Sequence, residues 1–349
     1  MKNPNRNPTN ETGGQPRQTT RSGLGDPFRG GLDLGKPNLG ISLCLLGEKV
    51  RFNGGHCHNH FVTSVMARYV NWIPVCPEMG AGLGTPREAL RLVKREKEVH
   101  LEESRTGIDR TVVLHAFCET FLNFLSNKNP HGFILKRKSP SCGMERVPLY
   151  REDGHRIGVS EGVFAQNLRK RFPLIPIEED GRLNDTNLRE NFIERIYAYQ
   201  RWSFFLANDP TPADLVVFHR RHKMQLTAHQ PAVAKELGRI VGAAGTGDWQ
   251  KRVDAYGEMF MHCLEQHAAT GKHANVLYHL LGFLKDRMQG EDKREMIHHI
   301  EQYRRRHTPL SVPLALLNHH LRRLPHPWVQ GQTYLQPYPA DLRMGQLLR

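Results

Sequence analysis

The chain has 349 residues, a hydrophobic fraction of 38% and a formal net charge of +14. That length is enough for two domains with sizeable cores, and no segment approaches the run of roughly 18 apolar residues that spans a bilayer. Its six cysteines are too widely spaced for the disulfide framework of a small secreted domain, so the cytoplasm is the expected location and a membrane partner is not expected. The positive charge admits an RNA partner, but it is scattered along the chain rather than gathered into one block.

In chain order, residues 1–36 are rich in Asn, Thr, Gly, Pro and Arg, lack hydrophobic periodicity and lack the apolar core of a secretory signal. They read as a disordered tail. Residues 37–182 alternate short apolar runs with helical stretches. Gly40-Ile41-Ser42-Leu43, Trp72-Ile73-Pro74-Val75 and Gly132-Phe133-Ile134-Leu135 have strand character, and Phe61 to Tyr69 fits a short helix. Thr85-Pro86-Arg87-Glu88 reads as a helix start, with Thr85 as N-cap and Pro86 at the first position. A charged stretch, Glu96 to Arg105, precedes an amphipathic helix whose spacing predicts an inward stripe of Val112, Ala116, Phe117, Phe121, Phe124 and Leu125. Strands alternating with helices predict a three-layer, mostly parallel, Rossmann-like α/β domain with right-handed crossovers.

From 188 to 325 the periodicity is helical throughout, with helices expected near 191–206, 213–229, 231–243, 247–268, 271–288, 291–306 and 311–323. This part reads as an all-α domain. Residues 326–349 form a Pro- and Gln-rich tail expected to wrap or fray.

The chemistry gathers where the three strands end. Cys44, Cys76 and Cys142 each sit in a turn beside Gly or Pro, after Leu43, Val75 and the Leu135 strand. Carboxyl ends of neighbouring parallel strands face one crevice, where ligands bind. Cys118 and Cys263, by contrast, lie within apolar helical patterns and read as core. Three thiolates in one crevice suit zinc with a fourth position open, or a four-iron cluster with one iron free. Glu78, two residues after Cys76, would face the same crevice as a general acid or base, and Ser139 and Ser141 would orient a substrate. Gly80-Ala81-Gly82-Leu83-Gly84 would leave backbone N–H groups bare for a ligand. His56-Cys57-His58-Asn59-His60 has a metal-binding composition and is expected as a supporting element or an adventitious binder. His219, His222 and His229 share one helix face, where packing is the commoner role and metal binding the rarer one.

These blocks resemble a known family. Ser42-Leu43-Cys44-Leu45-Leu46-Gly47 with Val50-Arg51-Phe52-Asn53-Gly54-Gly55, then Pro74-Val75-Cys76-Pro77-Glu78 with Thr85-Pro86-Arg87, then Ser139-Pro140-Ser141-Cys142-Gly143, are similar in content and order to thiouracil desulfidase domains. Phe52-Asn53 departs from the Tyr-Asp usual there. Asn191 to Tyr199 and Phe218 to Lys223 with Ala228-His229 resemble the YbgA-type helical domain, whose function is not established. The resemblance implies a 4Fe-4S cluster held by Cys44, Cys76 and Cys142, with Glu78 and Ser139 as catalytic residues. It implies an iron-sulfur-dependent hydrolase-type enzyme that converts a small thiolated nucleobase, thiouracil, to uracil and sulfide without net redox change. Two alternatives stand beside it: a cluster-containing sensor that binds nucleic acid, and a desulfidase for thiolated tRNA bases.

Overall fold

The computed structural model describes residues 34–344. The expected tail at 1–36 therefore lies outside the described residues except at its end, where the Gln200 side chain donates to the Leu34 and Gly35 carbonyls. Among the described residues, eight strands and three α-helices make up the first part: β1 (Asn38–Ser42), β2 (Asn71–Val75), α1 (Pro77–Gly80), β3 (Leu90–Arg95), β4 (Glu98–Glu103), α2 (Thr111–Ser126), β5 (Gly132–Leu135), β6 (Val147–Arg151), β7 (Arg156–Ser160), α3 (Val163–Arg171) and β8 (Ile177–Glu179).

The first sheet has the order β2-β1-β5-β8 and is parallel throughout. Parallel sheets bury both faces, and the side chains alternate accordingly. Leu39, Ile41 and Ile134 point to one side, against Phe61, Val62 and Met66 of the short helical segment after β1. Val75, Phe133, Leu135 and Ile177 point to the other, against α2 and α3. Gly40 is required where it stands, since a Cβ there would lie 1.9 Å from the Phe133 ring. Pro74 is tolerated because β2 is an edge strand, where a missing N–H leaves no ladder bond unmade.

The second sheet, β4-β3-β6-β7, corrects the sequence reading. The expected helix from Thr85 is absent. A tight turn with Glu96 at φ 49° joins β3 to β4 as an antiparallel hairpin, and a second hairpin, β6–β7, turns at Gly154 with φ 86°. Thr85 does not cap a helix; its hydroxyl donates to the Arg51 carbonyl at 2.9 Å. The inward stripe of α2 differs in part: Leu125 is buried as expected, and Phe117 and Phe121 pack against the core from half-buried positions. Leu114, Cys118, Leu122 and Leu125 are buried, whereas Val112 is 83% exposed and Phe124 47%. Apolar residues cover so much of this helix that two stripes fit its periodicity, and packing selects the one centred on Cys118.

The remainder is helical among the described residues: α4 (Thr186–Ala207), α5 (Pro212–His229), α6 (Pro231–Gly242), α7 (Trp249–Glu265), α8 (Thr270–Gly282), α9 (Gly290–Arg304), α10 (Ser311–Arg323), α11 (Pro327–Gln330) and α12 (Ala340–Met344). The architecture is thus a three-layer α/β region followed by a helical one. α4 serves both cores. Its Phe192, Ile193 and Ile196 cover the first sheet, and its Trp202 and Phe205 pack on Phe218 at 5.4 and 5.1 Å between ring centroids. Asp185 starts this helix by accepting the Asn187 and Leu188 N–H groups, and Thr211 with Asp214 forms a capping box for α5. The C-terminal segment wraps back: Gln332 and Thr333 donate to the Arg220 and Arg221 carbonyls, and Tyr338 and Leu342 enter the core beneath the first sheet. No described helix is long and apolar enough to cross a membrane.

Candidate active site

The parallel order of the first sheet delivers three chain ends to one edge. After β1, Cys44 lies in a short 3-10 turn closed by Gly47 at φ 102°, a conformation that favours glycine. After β2, Cys76 is the residue preceding α1. After β5, the chain loops through Lys136 to Cys142. The three thiols line one cavity of about 440 Å³, together with Glu78 and Ser139. Cys118 and Cys263 are buried in helices, away from it.

Burial raises all three thiols. Cys44 is pushed up to about 12 by desolvation and by nearby Cys57 and Cys76, with Lys136 acting the other way. Cys142 is raised by full burial, eased by a hydrogen bond with Ser42, and raised further by Cys76, Glu78 and Cys44. Cys76 is raised by burial and by Glu78, while the Met79 backbone N–H and Arg87 oppose the shift. Three thiols close enough to repel one another as thiolates, with little water to solvate them, call for a cation that compensates all three. An all-sulfur donor set suits iron-sulfur or zinc ligation and does not suit magnesium or calcium. The residues present therefore fit a soft metal centre.

Glu78 is held on two sides. Its Oε1 accepts the Ser141 hydroxyl at 2.8 Å. Its Oε2 accepts Arg87 Nε at 2.9 Å and pairs with Arg87 Nη2 as well. The side chains of Arg87 and Glu78 are only 6% and 13% exposed. Arg87 also donates to the Gly84 carbonyl at 2.6 Å and the Val50 carbonyl at 3.0 Å, tying both loops around the cavity to one guanidinium. Ser139 Oγ accepts the backbone N–H of Ser141 at 3.3 Å and of Cys142 at 3.1 Å. With its acceptor side committed to the turn, Ser139 keeps its hydroxyl proton to donate into the cavity it lines.

The Gly80–Gly84 turn does not present bare N–H groups as expected. Gly80, Gly82 and Leu83 donate to Cys76, Met79 and Glu78 carbonyls, and a Cβ on Gly80 would lie 2.1 Å from the Phe117 ring. Within the His56–His60 run, Cys57 reaches the cavity, and its N–H donates to the Cys44 carbonyl at 2.9 Å. His58 instead bonds the Thr63 hydroxyl.

Sequence reasoning assigned no role to Arg87, Ser42 or Lys136. Ser42 Oγ accepts the Lys136 N–H at 3.0 Å, and Lys136 Nζ pairs with Asp180 at 3.0 Å, so these groups pin the ends of β1, β5 and β8 together. The signal for Ser42 was its place beside Cys44; for Lys136 there was none.

The α5 histidines do not converge on one ion; each is paired separately. His219 bonds the Tyr256 hydroxyl at 3.2 Å. His222 stacks on Phe218 at 4.1 Å, donates from Nδ1 to the Phe218 carbonyl and accepts Arg201 Nε at Nε2. His229 donates to the Gln266 carbonyl and faces Glu194 at 3.3 Å. Burial alone would raise the Glu194 carboxyl, but His229 and Gln225 outweigh it and hold it down at about 2.

Comparison with known proteins matches two segments of the chain. Residues 39–180 match the family model of 2-thiouracil desulfurase, and residues 223–339 match that of a protein of unknown function, DUF1722. The chain is 27% identical over 165 residues to the uncharacterized protein YbgA of Escherichia coli (strain K12), covering 46% of this chain and 96% of that protein. It is 29% identical over 108 residues to the uncharacterized protein YbbK of Bacillus subtilis (strain 168), covering 30% of this chain and 71% of that one. A solved 4Fe-4S-dependent thiouracil desulfidase, TudS, is 27% identical, covering 43% of this chain and 94% of that one, with a TM-score of 0.35. Residues 39–180 are thus similar to the 2-thiouracil desulfurase family, and residues 223–339 to the DUF1722 family.

Proposed function

We propose that the protein is an iron-sulfur-dependent desulfidase for thiolated pyrimidines, with Cys44, Cys76 and Cys142 holding a 4Fe-4S cluster and Glu78 and Ser139 acting on the substrate. The observation that carries this reading is the convergence of three thiols and a fixed carboxylate on one cavity, within the segment that matches the desulfurase family. When bound, a cluster with three protein ligands would supply an open iron, a Lewis acid for a thiocarbonyl sulfur.

The overall reaction replaces C=S by C=O with one water and releases hydrogen sulfide, so no electron is transferred. The chain's own groups divide the proton work. Glu78, fixed by Arg87 and Ser141, is the carboxylate placed to take a proton from the attacking water. Ser139, its oxygen held by two backbone N–H groups, donates a hydrogen bond that orients the base. Arg87 keeps Glu78 in one rotamer through its two-pronged contact with Oε2. The expectation of an RNA partner rests on charge alone and is not carried further.

The test is anaerobic reconstitution with iron and sulfide, followed by determination of both per chain. Close to four irons and four sulfides in the wild type, with marked loss in Cys44→Ser, Cys76→Ser and Cys142→Ser, supports the reading. Zinc retained in place of iron under these conditions, with no cluster formed, contradicts it.

A further inference from the structure

α9 and α10 pack together through Met296, Ile300, Leu317 and Leu321. Beside this seam stand three groups that the desulfidase reading does not use. Asp292 and Glu295 are three residues apart on α9, so they share a face about 60° wide. His320, on α10, is only 3% exposed, and its Nε2 is buried with no hydrogen-bond partner. One ligand atom from each of the three lies within 4.8 Å of the others.

A buried ring nitrogen is normally hydrogen-bonded, so an orphan one needs an occupant. An imidazolium–carboxylate ion pair is not that occupant: among the described residues, neither Asp292 nor Glu295 makes an ion pair with His320 or with any Lys or Arg. The groups face each other across a gap instead. Donors bound tetrahedrally to one zinc-sized ion at 2.0–2.2 Å stand about 3.3–3.6 Å apart, so closing on an ion from 4.8 Å needs each group to move by about 1 Å or less. Asp292 is half-buried and Glu295 exposed, so one side of the gap is open to solvent.

We propose that Asp292, Glu295 and His320 form a binding site for a divalent first-row transition-metal ion that braces α9 against α10. One imidazole nitrogen and two carboxylates suit zinc and its neighbours, whereas calcium and magnesium prefer all-oxygen shells. Three protein ligands leave water to complete the coordination on the exposed side.

The test uses full-length protein stripped by chelator and titrated with zinc against a chromophoric competitor. The thiols of the other site also bind zinc, so tight equivalents are counted by difference. The Asp292→Asn/Glu295→Gln variant alters groups at or near the surface and is expected to fold. It should bind one tight equivalent fewer than the wild type and lose the zinc-dependent rise in melting temperature. Exposed His298→Ala should bind as the wild type does, which separates the site from adventitious histidine binding. In a Cys44→Ser/Cys76→Ser/Cys142→Ser background, cobalt(II) should still occupy one site, with a visible band but no thiolate charge-transfer band. An unchanged number of equivalents in the carboxylate variant, or no cobalt bound in the triple cysteine-to-serine background, would overturn the proposal.

Discussion

Ser141 donates its hydroxyl to Glu78 across 63 residues of sequence, at 2.8 Å. Ser141 adjoins Cys142 and Glu78 lies two residues beyond Cys76, so this bond ties two of the three cysteine turns to each other. On the opposite side Arg87 grips the second carboxylate oxygen. The position of Glu78 is therefore set by the same loops that present the thiols.

Removing Arg87 should expose this dependence. Arg87→Ala leaves a largely buried carboxylate without its guanidinium, which costs about 3 kcal/mol of stability, read from the urea midpoint. Turnover should fall on the order of 100-fold. Arg87→Lys restores the charge but not the fork and should recover only part of the activity.

The two serines should separate. Ser139→Ala removes the hydroxyl that lines the cavity and should lower kcat, whereas Ser141→Ala removes one anchor of Glu78 and leaves the Arg87 pair. Steady-state kinetics with thiouracil should show the larger kcat loss, about tenfold or more, for Ser139→Ala. The reverse order would assign the hydroxyl role to Ser141.

Gly162 is a remote handle on the site. A Cβ there would stand 2.6 Å from the Ser141 carbonyl oxygen and 3.0 Å from the Gly143 nitrogen, both backbone atoms. Gly162→Ala should shift the Cys142 turn at a cost of about 1–3 kcal/mol. Iron retained per chain after reconstitution should drop while the helical content in circular dichroism stays unchanged.

Acid should weaken the fold through His131. This buried ring accepts the Asn38 N–H at Nδ1, which keeps that nitrogen unprotonated, and burial holds its pKa down at about 4 against 6.5 for a free histidine. Below pH 6.5 the unfolded chain takes up a proton that the folded one refuses, so stability falls as pH drops from 6.5 towards 4. The loss from this group reaches up to about 3 kcal/mol. His131→Gln, which retains an acceptor, should show a flatter dependence of the urea midpoint on pH over that window.

The strands that carry the cysteines were legible because each is a short apolar run ending at a turn residue, and the helices from α4 to α10 because their periodicity is long and their stops, such as Asp209-Pro210, are sharp. The β3–β4 hairpin was not legible. Thr85-Pro86-Arg87-Glu88 has the composition of a helix start, and only the short alternation Leu90-Arg91-Leu92 and the alternation Glu98-Val99-His100-Leu101-Glu102 tell against it. The β6–β7 hairpin did leave a signal in Asp153-Gly154, which is a turn pair. The Arg87–Glu78 contact arises from loop closure around the Val50 and Gly84 carbonyls, which local pattern does not encode. The α2 stripe was misassigned at Val112, Ala116 and Phe124 because a helix rich in apolar residues on several sides leaves its orientation to tertiary packing. The gap between Asp292, Glu295 and His320 spans two helices and shows only once α9 and α10 are docked.

The central claim is best tested by following the near-ultraviolet thiocarbonyl band of 4-thiouracil under anaerobic conditions. Reconstituted wild type and Cys142→Ser would be compared side by side, with released sulfide measured in parallel. The account predicts decay of the band with matching sulfide in the wild type and none in Cys142→Ser. Equal decay in both, or no decay in wild type carrying a full cluster, would contradict it.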